Sequence, residues 1–274
     1  MTRSLFTQTE LPFLLVFNNK EEAAYYLNDM EQLVGEKDVL FYPASFRRPY
    51  QIEETDNANV LLRAEVLNRI NSGKKPAVIV TYPEELFEKV VTRKELDKNT
   101  LKVAVNDKIS IDFINEVLFE YEFKRVDFIT EPGEFSVRGG IVDVFSFSND
   151  NPYRIEFFGN EVESIRTFDV ATQLSIETKK KITIIPNVEN SFFQENRESF
   201  LDYISPQTVI FIQNTELLLA DLDKHFGKAE EAFAKLSQEI KRATPEQLFL
   251  NQASFIKRAL DFSVVEWGSK AVFK

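Results

Sequence analysis

Residues 131–169 read EPGEFSVRGGIVDVFSFSNDNPYRIEFFGNEVESIRTFD. Short alternating runs separated by turn residues predict consecutive strands, and consecutive strands imply hairpins rather than a parallel sheet. Gly159-Asn160 is a two-residue hairpin signal, because both residue types accept the positive φ such a turn requires. If the register runs unbroken from that turn, Phe158 faces Glu161, Phe157 faces Val162, Glu156 faces Glu163, Ile155 faces Ser164 and Arg154 faces Ile165. Side chains alternate with period two, so Tyr153, Ile155, Phe157 and Val162 form the core side. The opposite side carries Arg154, Glu156, Phe158, Glu161 and Glu163, a charged face with one large ring on it. Arg138 precedes Gly139-Gly140, a turn or bulge that can bring it to the same surface. That surface has two readings. Arginine among cross-strand acids is an ordinary solvated sheet face. Arginine beside an outward aromatic is also the residue set that concentrates energy at interfaces.

The segment before this region alternates strand and helix. FLLVF (13–17) is a short apolar run of the kind covered on both faces, and Asn19 with Glu22 marks a helix start that Gly35 ends. DVLFYP (38–43) and AVIVTY (77–82) read as further strands. NANVLLRAEVLNRINSGKK (57–75) reads as a helix, and Pro83 opens another over PEELFEKVV (83–91). Such alternation implies βαβ units and a parallel sheet. Ser110 is expected to cap a helix carrying Ile111, Ile114, Leu118 and Tyr121 on one side. Strands then follow from about Val126 to Ile185. After Pro186 the chain reads as mainly helical, with one apolar strand in TVIFIQN (208–214) and a final strand-rich segment that makes it look like part of something longer.

Bulk composition narrows the chemistry. A 274-residue chain with 43% hydrophobic residues supports two or three compact units. A formal charge of −11 argues against a stand-alone DNA clamp, which works by neutralising phosphates. Without cysteine there are no disulfides, thiolate nucleophiles or cysteine zinc sites. No apolar stretch approaches a membrane span, so no membrane association and a cytoplasmic location are expected. His225, the single histidine, reads as a helix-end residue rather than a catalytic base. Glu21-Glu22, Glu84-Glu85 and Glu230-Glu231 read as helix surface. None of the eight glycines builds G-x-x-x-x-G-K-[ST], so no phosphate-binding loop is present. No catalytic residue, metal site or cofactor site is assigned.

GEFSVRGGIVDVFSF (133–147), PYRIEFFGNEVESIRTFD (152–169) and ATQLS (171–175) resemble the UvrB-homology module at the N-terminus of the bacterial transcription-repair coupling factors. LLVFNNKEEA, DVLFYPA and KPAVIVTYPEEL extend the likeness upstream. The resemblance implies an α/β fold in three parts. These are a degenerate helicase/UvrB-like α/β domain over 1–99, an inserted α+β domain of antiparallel strands over 100–185, and a mainly helical part over 186–274 that packs back on the first. It also implies a non-catalytic recruitment module whose middle domain docks UvrA, the damage-recognition ATPase of nucleotide excision repair, through Arg138, Arg154 and Phe158. ATP, magnesium, RNA polymerase and double-stranded DNA would be handled by other domains of the longer family members. The corresponding stretch to UvrB's damage-clamping hairpin, ASFRRPYQIEETDN (44–57), is short and poor in stacking aromatics, so damage binding is not assigned. Its Arg47 and Arg48 read as solvated. A direct duplex-DNA-binding unit and a nucleotide-dependent helicase-type enzyme are the rival readings.

Overall fold

A computed structural model of the chain describes residue 6 and residues 8–45, 57–73, 75–189, 197–235, 243–268 and 271–273. Arg47 and Arg48 lie outside these residues. In chain order the elements are β1 (Phe13–Val16), α1 (Lys20–Val34), β2 (Val39–Phe41), α2 (Asn57–Asn71), β3 (Val78–Thr81), α3 (Pro83–Phe87) and β4 (Val90–Val91). Then come α4 (Arg93–Lys98), β5 (Leu101–Ala104), α5 (Ile111–Glu120), β6 (Lys124–Arg125), β7 (Glu134–Arg138), β8 (Ile141–Val144) and β9 (Tyr153–Phe158). β10 (Glu161–Phe168), β11 (Ser175–Thr178) and β12 (Lys181–Ile184) follow. The remainder is β13 (Arg197–Glu198), α6 (Phe200–Tyr203), β14 (Val209–Ile212), α7 (Thr215–Ala234), α8 (Pro245–Leu248), α9 (Gln252–Ala259) and β15 (Ser263–Glu266). These elements form two compact units, one made of Met1–Arg93 with Ser191–Lys274 and the other of Lys94–Asn190.

The first unit holds a five-stranded sheet in the order β15-β14-β1-β3-β2, parallel throughout. All four residues of β1 and of β3 are buried, which is why both segments are continuous apolar runs rather than alternating ones. One face packs Phe13, Leu15, Phe17, Val78, Val80 and Phe211 against Ala23 of α1. The expected helix start holds: the Asn19 side chain accepts from the Glu22 backbone N–H at 2.9 Å, and Gly35 ends α1 at φ 115°. The last part of the chain supplies β14 and β15 to this same sheet, so it is less a helical layer than a completion of the first segment's strands.

Three expectations for this unit change. The helix opened by Pro83 stops at Phe87, because Glu88 is already extended and Val90–Val91 pairs antiparallel with Arg197–Glu198. Glu85 is not helix surface. It is fully buried and meets the equally buried Arg63 at 2.7 Å, with Arg63 Nη2 3.5 Å from Glu88. A charge can sit there only because an opposite one is already in place. His225 lies in the interior of α7 rather than at its end, with its ring centroid 5.6 Å from that of Phe87, and burial pushes its pKa down. Among the described residues no helix is long and apolar enough to cross a membrane.

The second unit contains a six-stranded sheet in the order β11-β10-β9-β8-β7-β6. Its pairings are antiparallel except for β6 with β7, which is parallel, so the expectation of antiparallel strands alone needs that amendment. β5 and β12 form a separate antiparallel pair. Ser110 caps α5 by accepting from the Phe113 N–H at 3.1 Å, and α5 buries Ile114 and Leu118. Gly139 at φ 59° and Gly159 at φ 61° make the two hairpin turns that leave Arg138 and Phe158 at strand ends.

Candidate functional site

The alternation of β9 decides which side chains face out. Tyr153, Ile155 and Phe157 are buried, whereas Arg154, Glu156 and Phe158 take the other face. Register carries that face across the neighbouring strands. Arg154 lies opposite Asp143 of β8, Asp143 lies opposite Ser136 of β7, and Glu156 lies opposite Ile141, which in turn is opposite Arg138. Arg138, Arg154 and Phe158 therefore share one face of one sheet. Arg138 and Phe158 both sit at the end where the 139–140 and 159–160 turns lie, joined there by the Phe157 N–H to Gly140 C=O bond of 2.8 Å.

Asp143 is the pivot of this face. It is 1% exposed, and both of its oxygens are engaged by guanidinium groups. Arg154 donates Nε to one oxygen at 2.7 Å and Nη2 to the other at 2.8 Å, the two-pronged geometry that a planar guanidinium matches and an ammonium does not. Its Nη2 also donates to Gln173 Oε1 at 3.1 Å, and its guanidinium carbon stands 4.3 Å from the Phe168 ring centroid. The hydrogen bond to Asp143 is the main reason the Arg154 pKa is raised. Gln173 holds φ 59°, an uncommon value for a residue with a side chain. A tight loop maintains it: Asp169 Oδ1 accepts from the Thr172 N–H and hydroxyl, both at 2.7 Å, which keeps the Asp169 carboxyl below the usual carboxylate range.

Arg138 reaches Asp143 from the other side, donates to the Asp127 carbonyl at 3.3 Å, and stands 5.3 Å from the Phe128 ring centroid. Its side chain is 40% exposed, against 14% for Arg154. Phe158 is 80% exposed and Phe128 68%. Beside them Arg166 grips Glu156 with two bonds of 2.7 and 2.9 Å, and the Ser164 hydroxyl also donates to Glu156. That bond first, and Arg166 second, lower the Glu156 pKa. The face thus offers bare rings and partly paired guanidinium groups, a set suited to gripping a surface. Among the described residues no three His, Cys, Asp or Glu side chains stand together at metal-binding spacing.

Two expectations are corrected here. The β9–β10 register is as read only for Glu161 with Phe158 and Val162 with Phe157. A shift between Val162 and Ser164 then sets Ser164 opposite Glu156, Ile165 opposite Ile155 and Arg166 opposite Arg154. The bulge is what allows Ile165 to be buried while Ser164 and Arg166 share the polar face. Arg154 lies on the expected face, but Asp143, Gln173 and Phe168 cover most of it, so it is not a free guanidinium. Sequence reading missed Asp143, Phe128 and Gln173. Asp143 left one signal, a single acid between two valines of a strand; Gln173 left none, since its role depends on a loop conformation.

Residues 101–189 match the model of the UvrB interaction domain. The chain is 33% identical over 189 residues to the transcription-repair-coupling factor of Bacillus subtilis, an alignment covering 69% of this chain and 16% of that protein. It is 30% identical over 200 residues to the factor of the same name from Rickettsia bellii, covering 73% and 18%. For that of Myxococcus xanthus the identity is 30% over 176 residues, covering 64% and 15%. The chain spans less than a fifth of the length of these relatives. By its middle region and by the alignment along most of its length, the chain belongs to the transcription-repair-coupling factor family and carries the UvrB interaction domain at residues 101–189.

Proposed function

We propose that the outward face of the second unit's sheet is a docking surface for UvrA, and that the chain is a non-catalytic recruitment module bringing nucleotide excision repair to RNA polymerase stalled at damage. The observation that carries this reading is Phe158, 80% exposed at the tip of a tight hairpin, on the same sheet face as arginines held by a buried carboxylate. A large ring held outward on a rigid strand loses little side-chain freedom when a partner covers it, which favours an anchoring role. Arginine and aromatic residues are enriched among the few positions that dominate binding energy. The family supports UvrA as the partner, and the arrangement of segments supports an inserted docking domain between two parts of a UvrB-like α/β domain. ATP-driven movement on double-stranded DNA, with magnesium, belongs in this reading to parts of the longer relatives beyond the aligned region.

Purified UvrA captured by the immobilised chain tests it. Wild type should retain UvrA, whereas Phe158→Ala should retain much less and Arg138→Ala moderately less, both remaining folded. Equal retention by all three would overturn the reading. Binding to duplex DNA that falls steeply with added salt would instead favour a DNA-binding unit.

A further inference from the structure

Arg154 has five N–H donors, and the structure accounts for three of them: Nε and one N–H of Nη2 go to Asp143, and the other N–H of Nη2 goes to Gln173. The two on Nη1 have no partner among the described residues. Phe168 covers one face of the guanidinium, Asp143 takes its Nε–Nη2 edge, and Gln173 takes the Nη2 N–H that a carboxylate on the other edge would need. We infer that Asp143 is a positioning residue of the docking face: it locks Arg154 by its Nε–Nη2 edge and leaves Nη1 to meet one hydrogen-bond acceptor, a carbonyl or carboxylate oxygen, on the partner. This deepens the proposed docking function and rests on it.

The physical case is preorganisation. A free arginine has several rotatable bonds to immobilise on binding, whereas one clamped at both an edge and a face has already lost that freedom in the unbound protein. Asp143 serves twice, since Arg138 binds it too. Removing its charge would loosen both arginines, and neither would remain aimed. The same geometry limits the partner. With the Nε–Nη2 edge taken by Asp143 and the remaining Nη2 N–H by Gln173, the Nη1–Nη2 edge is also closed to a two-pronged carboxylate, so a single oxygen on Nη1 suffices. Lysine at this position carries a point ammonium with no planar fork, so it cannot grip Asp143 with two parallel bonds while holding a further donor in the fixed direction of Nη1.

Affinity for purified UvrA, measured by titration calorimetry, decides this with Asp143→Asn, Arg154→Ala, Arg154→Lys and the double variant Asp143→Asn/Arg154→Ala, with Phe158→Ala as the reference. Expected are a roughly tenfold loss for Asp143→Asn, a similar loss for Arg154→Lys as for Arg154→Ala, and, once Arg154 is alanine, a further loss from Asp143→Asn well under tenfold, confined to the share that acts through Arg138. A residue that merely stabilises the domain would instead add its effect in the double variant. Wild-type affinity in folded Asp143→Asn, additive losses, or wild-type affinity in Arg154→Lys would overturn the inference. Arg154→Lys keeps a cation at the site and decides the matter should Asp143→Asn not fold. If Phe158→Ala and Arg154→Ala both bind like wild type, it is the docking function itself that fails.

Discussion

Arg63 and Arg154 each stand over an aromatic ring and each meet a buried carboxylate. Arg63 lies 4.7 Å from the Tyr42 ring centroid and 2.7 Å from Glu85, while Arg154 lies 4.3 Å from that of Phe168 and 2.7 Å from Asp143. They differ in how far water is shut out. Arg63 and Glu85 have no exposed side-chain surface, whereas Arg154 keeps 14% and its neighbour Arg138 keeps 40%. Arg63 comes from a helix that presses it inward, where it also donates to the Pro43 carbonyl at 3.0 Å. Arg154 comes from a strand whose alternate residues fill the core, so it must stand on the outer face. One arrangement spends its charges wholly on holding its own unit together; the other leaves part of them available to another molecule. Burial, rather than residue type, separates the sealed ion pair from the one proposed here for recognition.

The largest effect expected from this contrast is on stability. Arg63→Ala strands a buried carboxylate and should lower unfolding free energy by about 3–5 kcal/mol, read as a shift in urea midpoint, with UvrA affinity of the folded protein unchanged. A loss below about 1 kcal/mol would mean that water enters the pair. Phe158→Ala should do the reverse. It should cost about 2 kcal/mol of UvrA binding while the urea midpoint moves by no more than about 0.5 kcal/mol, since an exposed ring contributes little to the fold. A stability change larger than the binding change would reverse the assignment. Arg138→Ala should cost about 1 kcal/mol of binding, because its charge is already shared with Asp143 and partly solvated; affinity at high and low salt should converge compared with wild type.

The smallest effect concerns His225, half-buried in α7. Burial depresses its folded pKa below the usual 6.5, so between those values the unfolded chain holds more protons than the folded one. Its contribution is therefore complete above the unfolded value and is lost as pH falls through the folded one. The urea midpoint should drop between about pH 7.5 and about pH 5.5, and His225→Gln should flatten that drop, whereas an unchanged slope would show that carboxylates alone produce it.

Much of the fold was legible from short-range pattern. Continuous apolar runs at 13–17 and 77–82 marked strands covered on both faces, and Asn19 and Ser110 marked helix starts, because capping depends on residues three apart. The strand in 263–266 was weaker, since its burial pattern alternates at the sheet's edge. For the proposed docking face, alternation along β9 was enough to place Arg154 and Phe158 on one side. It could not place the bulge after Val162, because a bulge leaves both strands individually regular and alters only their pairing. Glu85 was misread for a related reason. Its position in a first helical turn was plain, but the guanidinium that makes its burial tolerable comes from residue 63, on another helix.

By itself, then, the sequence determined the alternating order of elements and the outward side of the 153–158 strand. Both follow from neighbours within a few residues. Only the tertiary structure decided that Asp143 would gather Arg138 and Arg154, that Gln173 would close on the latter, and that Arg63 would be sealed while Arg154 kept a donor free. Long charged side chains choose partners by distance in space. Those distances are set when strands and loops separated along the chain are packed together, so no local pattern encodes them.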